Sequence, residues 1–118
     1  MLVYDITDLE SFQNLNSWLI EIEKYAPKKV YKILVGNKCD MKSERKVAWK
    51  QGEYFAAKYG MKFCETSAKE SINVSEAFIT MTRDIINPNN KENIFKPNNK
   101  NSAFKLNRNI VLKKYLSY

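Results

Sequence analysis

The sequence predicts an α/β protein in which three parallel strands alternate with three helices, followed by a basic tail. Three short apolar runs lack helical periodicity, and the stretch after each one shows apolar residues at helical spacing. With 118 residues, of which 44% are hydrophobic, the chain is long enough for one small domain. We expect this domain to occupy residues 1–87 and the tail to occupy residues 88–118.

Three runs of residues are the predicted strands. Residues 1–6 (MLVYDI) and 30–36 (VYKILVG) are short and mostly apolar, which is typical of strands buried on both faces. Residues 61–65 (MKFCE) are a weaker candidate that starts directly after a glycine. All three runs end in polar loops.

The predicted helices follow these strands. The first begins at a capping-box motif, Thr7-x-x-Glu10, and extends to about residue 25. Trp18 in this helix is expected in or at the margin of the core. The second covers residues 46–59, where Gly60 suits a left-handed helix stop. The third opens at Asn73 as its cap and ends before Pro88.

Strands that alternate with helices in this order favour a parallel sheet with right-handed crossovers. In such sheets, ligands bind at the loops beyond the carboxyl ends of the strands. The sequence therefore directs attention to the segments after residues 6, 36 and 65.

Composition excludes several kinds of site. The three glycines, Gly36, Gly52 and Gly60, are too far apart to form either common glycine-rich phosphate-binding motif, and the lack of histidine removes Ser-His and Cys-His nucleophile pairs. Two cysteines cannot form a disulfide framework, so a cytoplasmic location is expected.

The net charge of +7 is concentrated in the tail. Residues 1–87 carry 13 Lys and Arg against 12 Asp and Glu, whereas residues 88–118 carry 7 against 1. The tail is also rich in asparagine, a composition that resists packing, and we expect it to be disordered. A basic tail could attract nucleic acid, but no recognisable nucleic-acid module is present, so no specific nucleic-acid partner is expected.

Two loops at successive strand ends carry complementary groups. The carboxylate of Asp40 suits the two adjacent donors of a guanine edge, and the backbone N–H of Ala68 could donate to the guanine O6. The aliphatic stems of Lys38 and Lys69 could cover the two ring faces with their ammonium groups free, and Asn37 could tie the loops together. Alone, N-K-x-D is more often an ordinary turn, but the two loops together predict a guanine clamp.

Five segments resemble the second half of a Ras-like small GTPase, and specifically the Rab branch that regulates membrane traffic. They are residues 1–7 (MLVYDIT), 33–40 (ILVGNKCD), 52–56 (GEYFA), 65–69 (ETSAK) and 73–78 (NVSEAF). The resemblance covers residues 1–87 and none of the tail. It implies part of the doubly wound P-loop NTPase fold of small G proteins.

The resemblance also implies site residues and partners. Asn37, Lys38 and Asp40 match the guanine-specificity motif, and Ser67, Ala68 and Lys69 match the supporting base loop. GTP and GDP are the implied cofactors of an intact member, and Rab effectors and regulators are its implied partners. Vesicle traffic at endomembrane surfaces is the implied role.

The chain departs from the family pattern before residue 1. The phosphate loop, the magnesium-binding threonine and the water-positioning glutamine of Rab proteins have no counterpart here. We therefore expect no catalytic residues, no Mg²⁺ site and weak or undetectable nucleotide binding in isolation, which leaves enzymatic activity open. The alternative to a guanine-recognising GTPase half is a non-catalytic interaction fragment or a truncated gene product. Loss of a neighbouring strand would leave residues 1–6 as an apolar sheet edge.

The carboxyl terminus departs as well. Rab proteins usually end in cysteines that receive prenyl groups, whereas this chain ends KKYLSY, so membrane association is doubtful. Several apolar residues of the tail could instead form a short amphipathic patch: Phe104, Leu106, Ile110, Val111, Leu112, Tyr115 and Leu116.

Overall fold

A computed structural model describes residues 1–88. Three strands, β1 (Leu2–Asp5), β2 (Ile33–Asn37) and β3 (Lys62–Glu65), form one sheet in the order β1-β2-β3. The helices are α1 (Leu9–Gln13), α2 (Leu15–Tyr25), α3 (Trp49–Lys58) and α4 (Val74–Ile86), and a 3₁₀ turn covers Lys42–Glu44. Each strand is parallel to its neighbour, which confirms the predicted α/β class.

The central strand is the short, buried run that the sequence predicts. The first four residues of β2 are all buried, while β1 pairs with one side of β2 and β3 with the other. Burial of β1 on both faces is a wrong prediction, because Val3 is 57% exposed. Within residues 1–88, β1 pairs with β2 only, so it is an edge strand of the sheet.

Unequal layers cover the two faces of the sheet. On one face, α1, α2 and α3 enclose a core built around β1, β2 and β3, with the following buried members: Leu2, Tyr4, Ile6, Leu15, Leu19, Leu34, Val47, Phe55, Ala56, Met61 and Phe63. The second face has a smaller cluster under α4, made of Ile33, Val35, Cys64 and Ala77 with Met81 packed against it. The larger core is therefore on the face that carries three helices.

The first helical region differs from its prediction in two ways. Asp8, rather than Thr7, is the cap, since its carboxylate accepts hydrogen bonds from the backbone N–H groups of Glu10 and Ser11. The Thr7 hydroxyl instead donates to Asp5 Oδ1 at 2.7 Å. The predicted single helix is also interrupted at Asn14, which separates α1 from α2.

Helix α3 is shorter than predicted, whereas α4 ends before Pro88 as predicted. The start of α3 lies three residues after residue 46, and the Ala48 N–H donates to Gln51 Oε1 there. Gly60 has a φ of 66°, the left-handed stop that the sequence predicts. Asn73 does not cap α4 with its side chain: it has a φ of 57°, and its amide donates to the carbonyl oxygen of Glu65.

Trp18 corrects another expectation. It is 63% exposed on α2, whereas the sequence analysis places it in or at the margin of the core. None of the helices within residues 1–88 combines the length and apolarity needed to cross a membrane. The predicted disordered tail, and the amphipathic patch within it, lie outside the described residues.

Candidate functional site

The two predicted loops meet at the carboxyl end of the sheet. The Ser67 hydroxyl donates its proton to Asp40 Oδ1 at 2.6 Å, and the Ser67 Oγ accepts the backbone N–H of Glu70 at 3.0 Å. A backbone hydrogen bond from Cys39 N to Thr66 O, 2.9 Å long, joins the loops a second time. Since Ser67 is fully buried, it acts as an internal brace that fixes the Asp40 carboxylate against the second loop.

Asn37 is the second link between the loops. Its Oδ1 accepts hydrogen bonds from the Thr66 hydroxyl at 3.1 Å and from the Ala68 backbone N–H at 3.2 Å. The Ala68 N–H, which the sequence analysis assigns to the guanine O6, is therefore already engaged within the chain. At 3.2 Å this bond is long enough for the N–H to be shared with a second acceptor at an exposed position.

Lys38 has a partner that the sequence analysis missed. Its ammonium group lies 2.7 Å from Asp5 Oδ2, so the expectation that this group is free is wrong. Asp5 and Asn37 are register partners at the ends of β1 and β2, which brings Lys38 beside Asp5. A φ of 67° at Lys38 turns the chain sharply directly after β2. The signal that could have identified Asp5 is an acidic residue at the end of one strand, opposite a lysine that follows the next strand.

This ion pair determines the charge of Asp5. Partial burial raises the pKa of the Asp5 carboxyl, but hydrogen bonds from the Lys38 ammonium and from Thr7 outweigh it and hold the pKa below its usual value. The hydrogen bond to Asp5 likewise raises the pKa of Lys38. Both groups are therefore charged at neutral pH, and the stem of Lys38 is held beside the first loop.

Asp40 and Lys69 retain room for a ligand. Asp40 is half-buried, and within residues 1–88 its second oxygen, Oδ2, carries no hydrogen bond. Lys69 is exposed directly after Ala68. The structure thus brings Asn37, Lys38, Asp40, Ser67, Ala68 and Lys69 to one end of the sheet.

An ion pair beneath the second loop fixes its starting point. Arg45 makes a bidentate contact with Glu65, with distances of 2.6 and 2.7 Å, and also donates to the carbonyl oxygen of Val47 at 2.9 Å. Glu65 is only 3% exposed although it is charged, and it comes directly before Thr66. The sequence analysis assigns no role to either member of this pair. Their separation of twenty residues gives no local pattern that would reveal it.

Three further groups have raised pKa values: Cys64 in β3 and Tyr4 in β1, which are buried, and Cys39 in the first loop, which is half-buried. Burial raises the pKa of the Cys64 thiol to about 12, and it also raises the pKa of Cys39. Burial raises the pKa of the Tyr4 hydroxyl as well, and this oxygen is the one buried side-chain polar atom of residues 1–88 without a hydrogen bond. None of these groups is poised as a nucleophile at neutral pH.

Hydrogen-bonding and charged groups from both loops lie at one end of the sheet. They present a carboxylate edge, a backbone N–H and two lysine stems around this exposed end. Within the described residues there is no group of three or more His, Cys, Asp or Glu side chains that could hold a metal ion.

Comparison with known proteins identifies the family. The Ras family model matches residues 1–87. The chain belongs to the Ras family. Among curated relatives it is 52% identical over 92 residues to "Ras-related protein Rab-8" of Diplobatis ommata and 50% identical over 92 residues to "Ras-related protein Rab-8B" of Homo sapiens. It is also 48% identical over 85 residues to "GTP-binding protein ypt2" of Schizosaccharomyces pombe.

These relatives are about twice as long as the matched region. The match to each Rab-8 protein covers 78% of this chain and 44% of the relative, and the match to ypt2 covers 72% and 42%. The chain thus has the sequence of a Rab-type small GTPase over less than half the length of those proteins. Its parallel sheet and alternating helices agree with part of a Ras-like fold.

Proposed function

We propose that this chain forms the guanine-recognising half of a Rab-type GTP/GDP site. The observation that carries the proposal is the 2.6 Å hydrogen bond between Ser67 and Asp40, which holds the carboxylate next to the loop that contains Ala68 and Lys69. Asn37 and Lys38 complete the site from the end of β2. The proposal concerns recognition of the guanine base.

Chemistry of the purine edge gives the expected selectivity. The N1–H and 2-amino groups of guanine are adjacent donors, and the Asp40 carboxylate accepts both of them. Adenine has no such pair of donors, so its binding would leave the carboxylate desolvated and unpaired, at a cost of about 1–3 kcal/mol or more. The stems of Lys38 and Lys69 lie against the ring faces whichever purine binds, so they contribute affinity without selectivity.

The wider role of the protein is also part of the proposal. Similarity to Rab-8 proteins and to ypt2 supports a role in vesicle traffic, with effectors and regulators as partners and an endomembrane surface reached from the cytoplasm.

Titration by NMR tests the base site without requiring tight binding. Guanosine, added to the ¹⁵N-labelled full chain, should shift the backbone amides of residues 37–40 and 66–69, and adenosine at the same concentration should not. The Asp40→Asn variant replaces one acceptor by a donor, so it should lose guanosine and gain xanthosine, whose C2 carbonyl accepts that donor.

A matched control and an opposing result define the outcome. Glu23→Gln removes an exposed carboxylate from α2, away from the loops, and should leave the guanosine shifts unchanged. Equal shifts with guanosine and adenosine, or an unchanged preference in Asp40→Asn, would disprove the assignment of Asp40. Shifts confined to the lysines would indicate a non-selective purine surface.

A second candidate is the non-catalytic interaction fragment. The exposed Val3 on β1, a strand with one neighbour within residues 1–88, favours it, because open strand edges pair readily with other chains. The NMR titration separates the two candidates: an interaction fragment without nucleotide binding would give no amide shifts with any nucleoside.

A further inference from the structure

Backbone conformation singles out the two loops of the candidate site. Within residues 1–88, three residues other than glycine have a positive φ: Lys38 at 67°, Ser71 at 54° and Asn73 at 57°. Lys38 lies in the first loop, and Ser71 and Asn73 lie where the second loop leads into α4. This conformation is uncommon for residues that carry a Cβ, and it persists where surrounding contacts impose it. The contacts around residues 71 and 73 therefore bear on the shape of the second loop.

Two sets of hydrogen bonds close the second loop. The backbone N–H groups of Ser67 and Ile72 donate to each other's carbonyl oxygens, at 3.0 and 2.9 Å. Beyond this bridge, the side-chain amide of Asn73 donates to the carbonyl oxygen of Glu65 at 2.9 Å. Residues 68–71, which we call the tip of the second loop, lie between the two halves of the bridge. The position of the tip is thus set from both of its ends.

Different contacts hold these two ends. Before the tip, Thr66 donates its backbone N–H to Gly36 O and accepts the Cys39 N–H, both at 2.9 Å, so the central strand and the first loop fix this end. After the tip, the side chain of Asn73 ties the chain back to the last residue of β3. The position of the second end depends on this side chain as well as on the bridge.

Asn73 makes this contact instead of capping the helix that follows it. An asparagine directly before a helix ordinarily accepts hydrogen bonds from the first free backbone N–H groups. In α4 no such side-chain bond is made, and the left-handed backbone of Asn73 accompanies an amide directed back to Glu65. The requirements of α4 therefore do not explain the asparagine, whereas closure of the second loop does.

We propose that Asn73 is a positioning residue of the guanine site, and that it places the backbone N–H of Ala68 for the guanine O6. This inference rests on the proposed function and adds to it a residue outside both sequence motifs. Asn73 acts through the second end of the tip, whereas the Ser67 hydroxyl braces Asp40 at the first end. Loss of the Asn73 amide should therefore weaken the contact to O6 and keep the contacts to the N1–H and 2-amino groups.

The Ala68 N–H needs such positioning because it is shared. It already donates to Asn37 Oδ1 at 3.2 Å, so a bond to O6 must be made by the same hydrogen in a three-centre arrangement. Hydrogen bonds weaken steeply as their angle departs from linear, so a small rotation of this N–H would favour one acceptor over the other. A tip fixed at both ends holds the direction of the N–H between the two acceptors.

Three nucleosides, titrated by NMR into the ¹⁵N-labelled full chain, separate the two contacts. 6-Thioguanosine replaces O6 by sulfur, a weaker acceptor, and inosine lacks the 2-amino donor. The parent should bind guanosine about two- to tenfold more tightly than 6-thioguanosine, since one hydrogen bond distinguishes them. In Asn73→Gly, which suits the left-handed backbone but has no amide, this ratio should fall to less than about half of its parent value. The guanosine-to-inosine ratio should stay within about twofold.

Two further variants complete the series. Asn73→Asp has nearly the same shape as the parent side chain but no N–H donor, so it should reproduce the loss seen in Asn73→Gly. Asn87→Gly makes the same change at the other end of α4 and should leave both ratios at their parent values. Protection of the Val35 amide, on the central strand, reports whether each variant remains folded.

The opposing results distinguish this inference from the proposed function. An unchanged guanosine-to-6-thioguanosine ratio in the folded Asn73 variants would overturn the role of Asn73 and leave the base site standing. An equal fall of both ratios, or unfolding of both Asn73 variants, would assign Asn73 to the fold instead. Equal binding of guanosine and 6-thioguanosine by the parent would show that Ala68 does not contact O6. No guanosine shifts in the parent would overturn the base site and this inference with it.

Discussion

Removal of Arg45 should be the most costly single substitution near the candidate site. Its guanidinium donates two hydrogen bonds to the Glu65 carboxylate, 2.6 and 2.7 Å long. The Glu65 side chain is 4% exposed to solvent, and the Arg45 side chain is 27% exposed. Arg45→Met therefore leaves a buried carboxylate without its counter-charge. For such a break we expect a loss of about 3–5 kcal/mol in the free energy of unfolding.

Urea denaturation followed by circular dichroism measures this loss. At an m-value of about 1.5 kcal/mol per M, a loss of 3 kcal/mol lowers the unfolding midpoint by about 2 M. In Arg45→Met/Glu65→Leu no buried charge is left, so its stability should return most of the way to that of the parent. Lys46→Met, an exposed neighbour, serves as the control and should stay within about 0.5 kcal/mol of the parent.

Two results would refute the reasoning. A loss below about 1 kcal/mol in Arg45→Met would mean that Glu65 is solvated or protonated in the folded chain. A double variant as unstable as Arg45→Met would mean that packing of the arginine stem, rather than the unpaired charge, sets the cost.

Three further predictions use the same denaturation assay or alkylation. Because the pKa of Asp5 is lowered in the folded state, its carboxylate contributes its full stabilisation above about pH 4, and this stabilisation is lost as the pH falls through the folded-state pKa. The difference in the free energy of unfolding between the parent and Asp5→Asn should therefore shrink from pH 6 to pH 3. A constant difference would contradict this. Gly52→Ala should lower the free energy of unfolding by about 1–3 kcal/mol, because the new Cβ would lie 2.5 Å from the Phe63 ring. An increase of about 1 kcal/mol, which is usual for Gly→Ala in helices, would instead show that Phe63 moves to make room for the Cβ. Iodoacetamide at pH 8 should modify Cys39 before the buried Cys64, and urea should remove the difference; equal rates in the folded chain would count against the burial of Cys64.

Sequence reasoning predicts best where a local pattern decides the structure. The apolar run of β2 and the left-handed stop at Gly60 follow from residue type and spacing alone, and both are present. The predicted convergence of Asp40 and Ser67 relies on one topological rule, that the ends of parallel strands share an edge, and the structure places the two side chains 2.6 Å apart.

It predicts least where the outcome depends on a distant partner. Lys38 has Asp5 as its partner because β1 and β2 adopt one particular register, which the sequence does not specify. Threonine is a common helix cap, but the Thr7 hydroxyl donates to the Asp5 carboxylate, and Asp8 caps the helix instead. The exposure of Trp18 depends on which helices flank α2, and helical spacing alone does not contain that information. The role of the loops in base recognition stays a prediction.

The position of Ser67 has a consequence for covalent regulation. Its hydroxyl oxygen has no exposed surface, gives its proton to Asp40 and accepts the N–H of Glu70. A protein kinase acting on the folded chain therefore cannot reach this oxygen, although the neighbouring Ala68 and Lys69 are exposed. Phosphate found on Ser67 would mark molecules that were modified before the two loops closed.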